Sequence, residues 1–252
     1  SAMVRKVTRR DMMKGVGAAG VVGVTGCLGG GGGSRTIQQG VLLPLTGDLA
    51  NLGGPIRDGA TLPATELEGE TEFTFDIQEE DTETNAQAGI SGAESLVNNG
   101  FPAVTGAASS GVTMQVAQQV LIPNGTVGCS PASTSPAVTG LDDDDFYFRT
   151  CPSDALQGQV IAQVGAEQLG NSTAATMYVN NSYGQALSES FTATFENDHG
   201  GEVTAQVSFE QEQNSYSSQL ESALGDEPEM LVVIGYPASG ITLFRDYYSD
   251  YD

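Results

Sequence analysis

From Thr36 onward the chain alternates short apolar runs with longer segments whose apolar residues recur at helical spacing. The short runs predict strands at 37–43, 73–79, 103–105, 127–129, 146–149, 174–179, 203–209 and 230–234. The longer segments predict helices at 55–67, 86–98, 111–121, 155–169, 184–197, 216–224 and 240–248. Strand-then-helix repetition is the signature of βα units on a mainly parallel sheet, so the fold class is α/β. Pro63 falls inside the first helix and predicts a kink or an early end. An acidic loop, Asp142 to Asp145, and the turn residues Pro152-Ser153-Asp154 suggest a boundary near Phe148. Ser153 or Asp154 is expected to cap the helix that follows. After that boundary only three βα units fit before Asp252, fewer than a doubly wound lobe normally uses, so the second lobe is expected to be incomplete.

Ahead of this pattern lies a segment of another kind. Arg5, Lys6, Arg9, Arg10 and Lys14 form a cationic head, followed by an uncharged small-residue run from Gly15 to Gly26 and then Cys27. The run is too short to span a bilayer as a stable helix, so it reads as a cleavable export signal. Thr8-Arg9-Arg10-Asp11 resembles the twin-arginine export motif. Val24-Thr25-Gly26-Cys27 resembles a lipobox, whose cysteine becomes the lipidated first residue of the mature protein. Residues 1–27 are thus expected to be a signal peptide and residues 28–35 a flexible glycine-rich linker. The predicted location is extracytoplasmic, on the outer face of the cell membrane, held by lipid at Cys27.

Setting the signal aside changes the charge. The whole chain carries nine Lys and Arg against 32 Asp and Glu, a net −23. Five of the nine basic residues precede Cys27. What remains is four arginines and no lysine against 31 acids once Asp11 is excluded, a formal −27. Such a surface repels nucleic acid, which is excluded as a partner. Its self-repulsion opposes a compact state in dilute buffer but is screened within about 3 Å at 1 M salt, so the composition points to an extreme halophile. A P-loop needs a lysine, and the mature chain has none. Gly15-Val16-Gly17-Ala18-Ala19-Gly20 matches G-x-G-x-x-G but lies inside the signal, so it is no dinucleotide fingerprint. Cys129 and Cys151 are a candidate disulfide. No histidine or second thiol pair completes a metal set, and no cofactor is expected. His199, before Gly200-Gly201, reads as a helix-end residue.

Two strand-end loops carry the chemistry. Gly106 to Thr113 follows a strand and opens a helix, offering hydroxyls and backbone N–H groups that suit a carboxylate. Ser130-Pro131-Ala132-Ser133-Thr134-Ser135-Pro136 follows the next strand with hydroxyls and carbonyls on a proline-stiffened loop. Ligands of open α/β sheets sit at the carboxyl ends of strands, where these loops would be neighbours.

Seven segments in order then resemble one family: Gly40 to Gly47, Gly53 to Ala60, Glu80-Asp81-Thr82, Gly106 to Ser110, Ser130 to Pro136, Phe148 to Asp154, and Ser182-Tyr183-Gly184. It is the branched-chain amino-acid (leucine/isoleucine/valine) binding-protein family of ABC importers. The resemblance implies a type I periplasmic binding protein with two Rossmann-like lobes, here residues 36–148 and 149–252, the second partial. It implies a non-enzymatic protein that captures a branched-chain or related small amino acid or amide and delivers it to permease subunits. Ser110 resembles the family serine that binds the ligand carboxylate, with Ala108 and Ser109 on the same loop. Ala132 resembles the residue whose carbonyl receives the ammonium, and Thr134 the threonine that contacts both ends, with Ser133 between them. Tyr183 and Tyr236 resemble second-lobe aromatics that cover the ligand. Leu52 stands where some relatives carry a tyrosine, and the family's ammonium-pairing acid is expected beyond Asp252. Arg149, at the crossing between lobes, reads as half of a hinge ion pair. Two other functions remain open: a ligand-sensing module of the same fold, and an exported serine hydrolase built on Ser110.

Overall fold

The computed structural model describes residues 35–251; the expected export signal at 1–27 with Cys27, and residues 28–34 of the expected linker, lie outside them. The first half contains β1 (Arg35–Leu43), α1 (Ala50–Leu67), β2 (Phe73–Asp81), α2 (Ala86–Asn98), β3 (Ala103–Gly106), α3 (Ser110–Val116), β4 (Val127–Ser130) and β5 (Tyr147–Arg149). A π-helical turn, Ala117–Leu121, continues α3, and a 3-10 turn, Pro136–Gly140, lies between β4 and β5. The second half contains α4 (Asp154–Gln163, continued by a π turn at Val164–Gln168), β6 (Thr173–Val179), α5 (Ser182–Asn197), β7 (Glu202–Phe209), α6 (Ser217–Leu224), β8 (Met230–Ile234) and α7 (Pro237–Asp250).

Every strand pairing is parallel, in the orders β2-β1-β3-β4-β5 and β7-β6-β8. Parallel strands need crossovers, and the helices that supply them cover the faces; β6 is accordingly a nearly continuous apolar run, buried at five of seven positions. Leu42, Leu96, Val104, Val116 and Leu121 anchor the core of the first half. Met177, Phe191, Phe195, Phe209 and Tyr216 anchor that of the second. In each sheet the strand order reverses beside a central strand, β1 in one and β6 in the other, and the loops at that reversal leave a crevice at the strands' carboxyl ends.

Local chemistry explains several boundaries. Asn85 caps α2 by accepting from the Gln87 and Ala88 amides, and Ser153 caps α4 by accepting from Ala155 N–H. α1 begins at Ala50, ahead of the predicted start, and runs through Pro63 to Leu67. Pro63 has no N–H to give the Gly59 carbonyl, so α1 runs through it with that intrahelical bond unmade. Arg149 makes no ion pair among the described residues. Its guanidinium donates to Ser133 O, Ser135 O and Thr139 Oγ1 instead, which holds the β4 loop against β5. Cys129 and Cys151 are separate, half-buried thiols, so the expected disulfide is not formed. The register partner of Cys129 is Phe148, and Cys151 follows three residues later, beyond the end of β5. Among the described residues no helix is long and apolar enough to cross a membrane.

Candidate ligand-binding cleft

The loops after β1, β3 and β4 face those after β6 and β8 across a cleft of about 220 Å³. That is below the roughly 300–1,000 Å³ of pockets for drug-sized ligands and suits a small metabolite. Of the residues expected there, Ala108, Ser109, Ser110, Ala132, Thr134, Tyr183 and Tyr236 line it. Ser133 does not. It is fully buried and turned away, hydrogen-bonded to Thr113 Oγ1 at 2.6 Å, Ser130 Oγ at 2.7 Å and Ala108 O at 3.0 Å. Ser130 Oγ also donates to Ala107 O, and Tyr147 OH donates to Gly106 O at 2.7 Å. This buried network locks the β3 and β4 loops together, so the first wall is rigid. At Gly106 (φ +137°) a Cβ would lie 2.0 Å from Leu42 O, so only glycine lets β3 turn into this loop beside β1.

On that wall Ser110 opens α3 and its Oγ accepts the Ser135 N–H at 3.2 Å. Its own hydrogen is therefore left to give, next to helix-opening amides that have no intrahelical partner. The N-cap residue Ser109 makes no capping bond; its hydroxyl pairs with Tyr236 OH at 2.8 Å. Thr134 Oγ1 donates to Asp154 Oδ2 at 2.7 Å, and Asp154 N–H returns a bond to Thr134 O at 2.8 Å.

The second wall is aromatic. Tyr183 and Tyr236 stack with ring centroids 5.6 Å apart and planes 11° from parallel. Burial, with smaller contributions from Asp154 and Tyr236, pushes the Tyr183 phenol up to about 12. Burial also raises Tyr236, against its hydrogen bonds to Ser109 and Asn181. Both rings therefore stay neutral at physiological pH. Asn181 caps α5 by accepting from Tyr183 N and Gly184 N, and its Nδ2 donates to Tyr236 OH at 3.0 Å. Gly111 lets α3 approach this cap, since a Cβ there would meet Asn181 Cβ at 3.1 Å.

An apolar side completes the enclosure: Leu49, Leu52 and Ile56, beside and along the first turns of α1. Leu49 packs into the Phe209–Tyr216 cluster of the second half, and Asp48 accepts from Ser239 Oγ near the start of α7. The loop after β1 is itself pinned by Asp81, which accepts from Thr46 Oγ1 and from the amides of Leu45, Thr46 and Glu83. Asn181 and Asp154 escaped the sequence reading as site residues because each looks like an ordinary helix-start residue. Leu49, Leu52 and Ile56 left a signal, an apolar stripe at helical spacing.

A family model described as periplasmic binding protein matches residues 36–249. The chain belongs to that family. Its relatives agree with the motif resemblance to the type I, branched-chain amino-acid group. It is 30% identical over 168 residues to a Leu/Ile/Val-binding protein homolog of Brucella melitensis, covering 62% of this chain and 43% of that one. It is 27% identical over 165 residues to the chemotactic signal transduction system substrate-binding protein BasB of Halobacterium salinarum, covering 63% and 39%. Among solved structures, a leucine-binding protein of Thermotoga maritima superposes with a TM-score of 0.73 at 25% identity, over 81% of this chain and 57% of that one. The chain thus spans about half the length of the curated relatives it matches.

Proposed function

We propose that this binding protein captures a small amino acid, branched-chain or related, outside the cytoplasm and hands it to the permease of an ABC importer. The observation that carries this reading is the pairing of a hydroxyl-lined wall, Ser110 with Thr134, with a stacked tyrosine wall around a cavity of metabolite size. Capture then begins on the first wall, where the Ser110 hydroxyl and the α3 amides suit a carboxylate. Closure brings Tyr183 and Tyr236 over the ligand, and their ring faces suit an ammonium. Leu49, Leu52 and Ile56 offer an apolar surface to an aliphatic side chain. The halves at 36–148 and 149–252 act as the two closing lobes, and Cys27 carries the lipid that keeps the protein beside its permease. The charge of the chain suits a cell surface bathed in concentrated salt.

Likeness to a chemotactic substrate-binding protein favours a second reading, in which the same cleft reports ligand to a signalling partner instead of a permease. A hydrolase built on Ser110 is poorly supported. The one histidine, His199, stands beside Glu167 beyond the far end of α5, a helix of about 24 Å whose start carries Tyr183.

Calorimetry of the exported full chain in high salt against leucine, valine, their amides and other small carboxylates tests the proposal. Saturable heat with an aliphatic amino acid is expected. No heat from any of them removes the amino-acid reading.

A further inference from the structure

Asparagine, any residue but proline, then serine or threonine occurs three times in the chain, at Asn124-Gly125-Thr126, Asn171-Ser172-Thr173 and Asn180-Asn181-Ser182. In a chain that leaves the cytoplasm this pattern is the acceptor for an N-linked glycan. A glycan is bulky and strongly hydrated, so the folded protein must hold it in solvent. The surroundings of each asparagine in the fold therefore choose among the three.

Asn180 directly follows β6, which puts it at the cleft end of the sheet, next to the Asn181 that caps α5 and bonds Tyr236. Its Nδ2 donates to Glu210 Oε1 at 2.6 Å. A glycan there would crowd the closing walls. Asn171 precedes β6 at the opposite end but is half-buried. Its Ser172 N–H donates to Glu229 Oε2 at 2.6 Å, and Thr173 Oγ1 accepts Glu229 N–H at 3.1 Å, at the first residue of a strand paired on both sides.

Asn124 differs. It lies in the turn before β4, and because the strands are parallel this turn is at the end of the sheet away from the cleft, about 13 Å off along the four residues of β4. Pro123, Asn124 and Gly125 are three exposed residues in a row. Gly125 (φ +62°) supplies the left-handed conformation of the turn, which Asn124 N–H to Leu121 O at 3.2 Å and Gly125 N–H to Ile122 O at 3.0 Å hold closed. Asn124 Nδ2 gives one hydrogen to Val120 O at 2.7 Å, and the second has no partner among the described residues. Thr126 is 5% exposed, so an enzyme that reads its hydroxyl meets it when this short turn opens locally, which costs far less than melting the start of β6.

We propose that Asn124 is an N-glycosylation site and that Asn171 and Asn180 stay bare. The reaction joins Asn124 Nδ2 to the anomeric carbon of a sugar carried on a lipid-linked phosphate. The bond from that carbon to the phosphate oxygen breaks, its electron pair leaves with the phosphate, and one Nδ2 proton is released; nothing is oxidised or reduced. The hydrogen that remains on Nδ2 keeps the bond to Val120 O, which aims the first sugar outward from the turn. This rests on the export part of the reading above and is independent of the ligand.

The test is peptide mass spectrometry of the full chain recovered from the cells that naturally make it, beside Asn124→Gln and Thr126→Val produced in the same cells. The Asn124 peptide should carry the added mass of a saccharide, and both variants should lose all of it. The same digest reads the N-terminus. A chain that begins at a processed Cys27 and carries a bare Asn124 overturns the inference while leaving export intact, whereas an unprocessed chain with a bare Asn124 overturns both. Saccharide on Asn171 or Asn180 refutes the selection by surroundings, and added mass that persists in Thr126→Val refutes the acceptor pattern. Should either variant fail to fold in a thermal melt, the parent's Asn124 peptide decides alone.

Discussion

Replacing Tyr236 by Phe removes a single oxygen and leaves the ring that stacks on Tyr183. That oxygen is shared by Ser109 Oγ at 2.8 Å, from the first wall, and Asn181 Nδ2 at 3.0 Å, from the second. Ser109 is 4% and Tyr236 6% exposed, so water does not readily replace the lost partner. Two internal hydrogen bonds at about 0.5–1.5 kcal/mol each contribute roughly 1–3 kcal/mol to the arrangement with the walls in contact. A ligand held by both walls leaves only after they part, so the loss passes into affinity, and Kd should rise about 5- to 150-fold. Calorimetry gives Kd, and stopped-flow displacement should locate most of the change in dissociation. Tyr183→Phe is the control: its ring stays in the stack and Kd should change little. A Tyr236→Phe protein that keeps the parental affinity and dissociation rate would refute the role assigned to this hydroxyl.

Two further outcomes follow from groups outside the cleft. Ser133→Ala should cost about 1–3 kcal/mol of unfolding free energy, because Thr113, Ser130 and the Ala108 carbonyl lose a buried partner; urea unfolding in high salt checks this, and an unchanged midpoint would contradict it. Burial works against the Asp81 carboxylate, but the Thr46 hydroxyl and the amides of Glu83, Thr46 and Leu45 together hold its pKa below the usual range. A lowered folded pKa contributes stability that is present above the unfolded value, about 3.9, and is lost as pH falls through the folded one. Asp81→Asn should therefore flatten the acid end of the stability curve, and parallel acid curves for parent and variant would remove the assignment.

The elements were legible because a parallel α/β chain writes each strand as a short apolar run and each helix at a different period. β8 coincides with its predicted run, and the other strands differ by a residue or two at an end. The two hydroxyl loops were legible from composition at strand ends. What alternation could not supply was the direction of each loop side chain. Ser133 sits between two lining residues, yet it points inward because Thr113 and Ser130 approach from other elements. Arg149 was misread for a related reason: an arginine near a crossing suggests an acid, but the proline-stiffened β4 loop presents carbonyls within its reach. The polarity of Ser110 and Thr134 was also invisible, since it depends on Ser135 N–H and Asp154, which only the fold brings to them.

The contacts that bridge the two walls bear on ionic strength. Leu49 buries an apolar side chain in the far half, Tyr236 joins Ser109 to Asn181, and Asp48 receives a neutral hydroxyl from Ser239. Among the described residues no ion pair crosses the cleft. A latch of opposite charges would weaken at molar salt, where screening acts within about 3 Å. Apolar contact and hydrogen bonds that involve no pair of opposite charges escape most of that weakening, and excluded salts strengthen apolar burial. Closure built this way keeps its strength in brine, so the surface can carry a large negative charge without loosening the grip on the ligand.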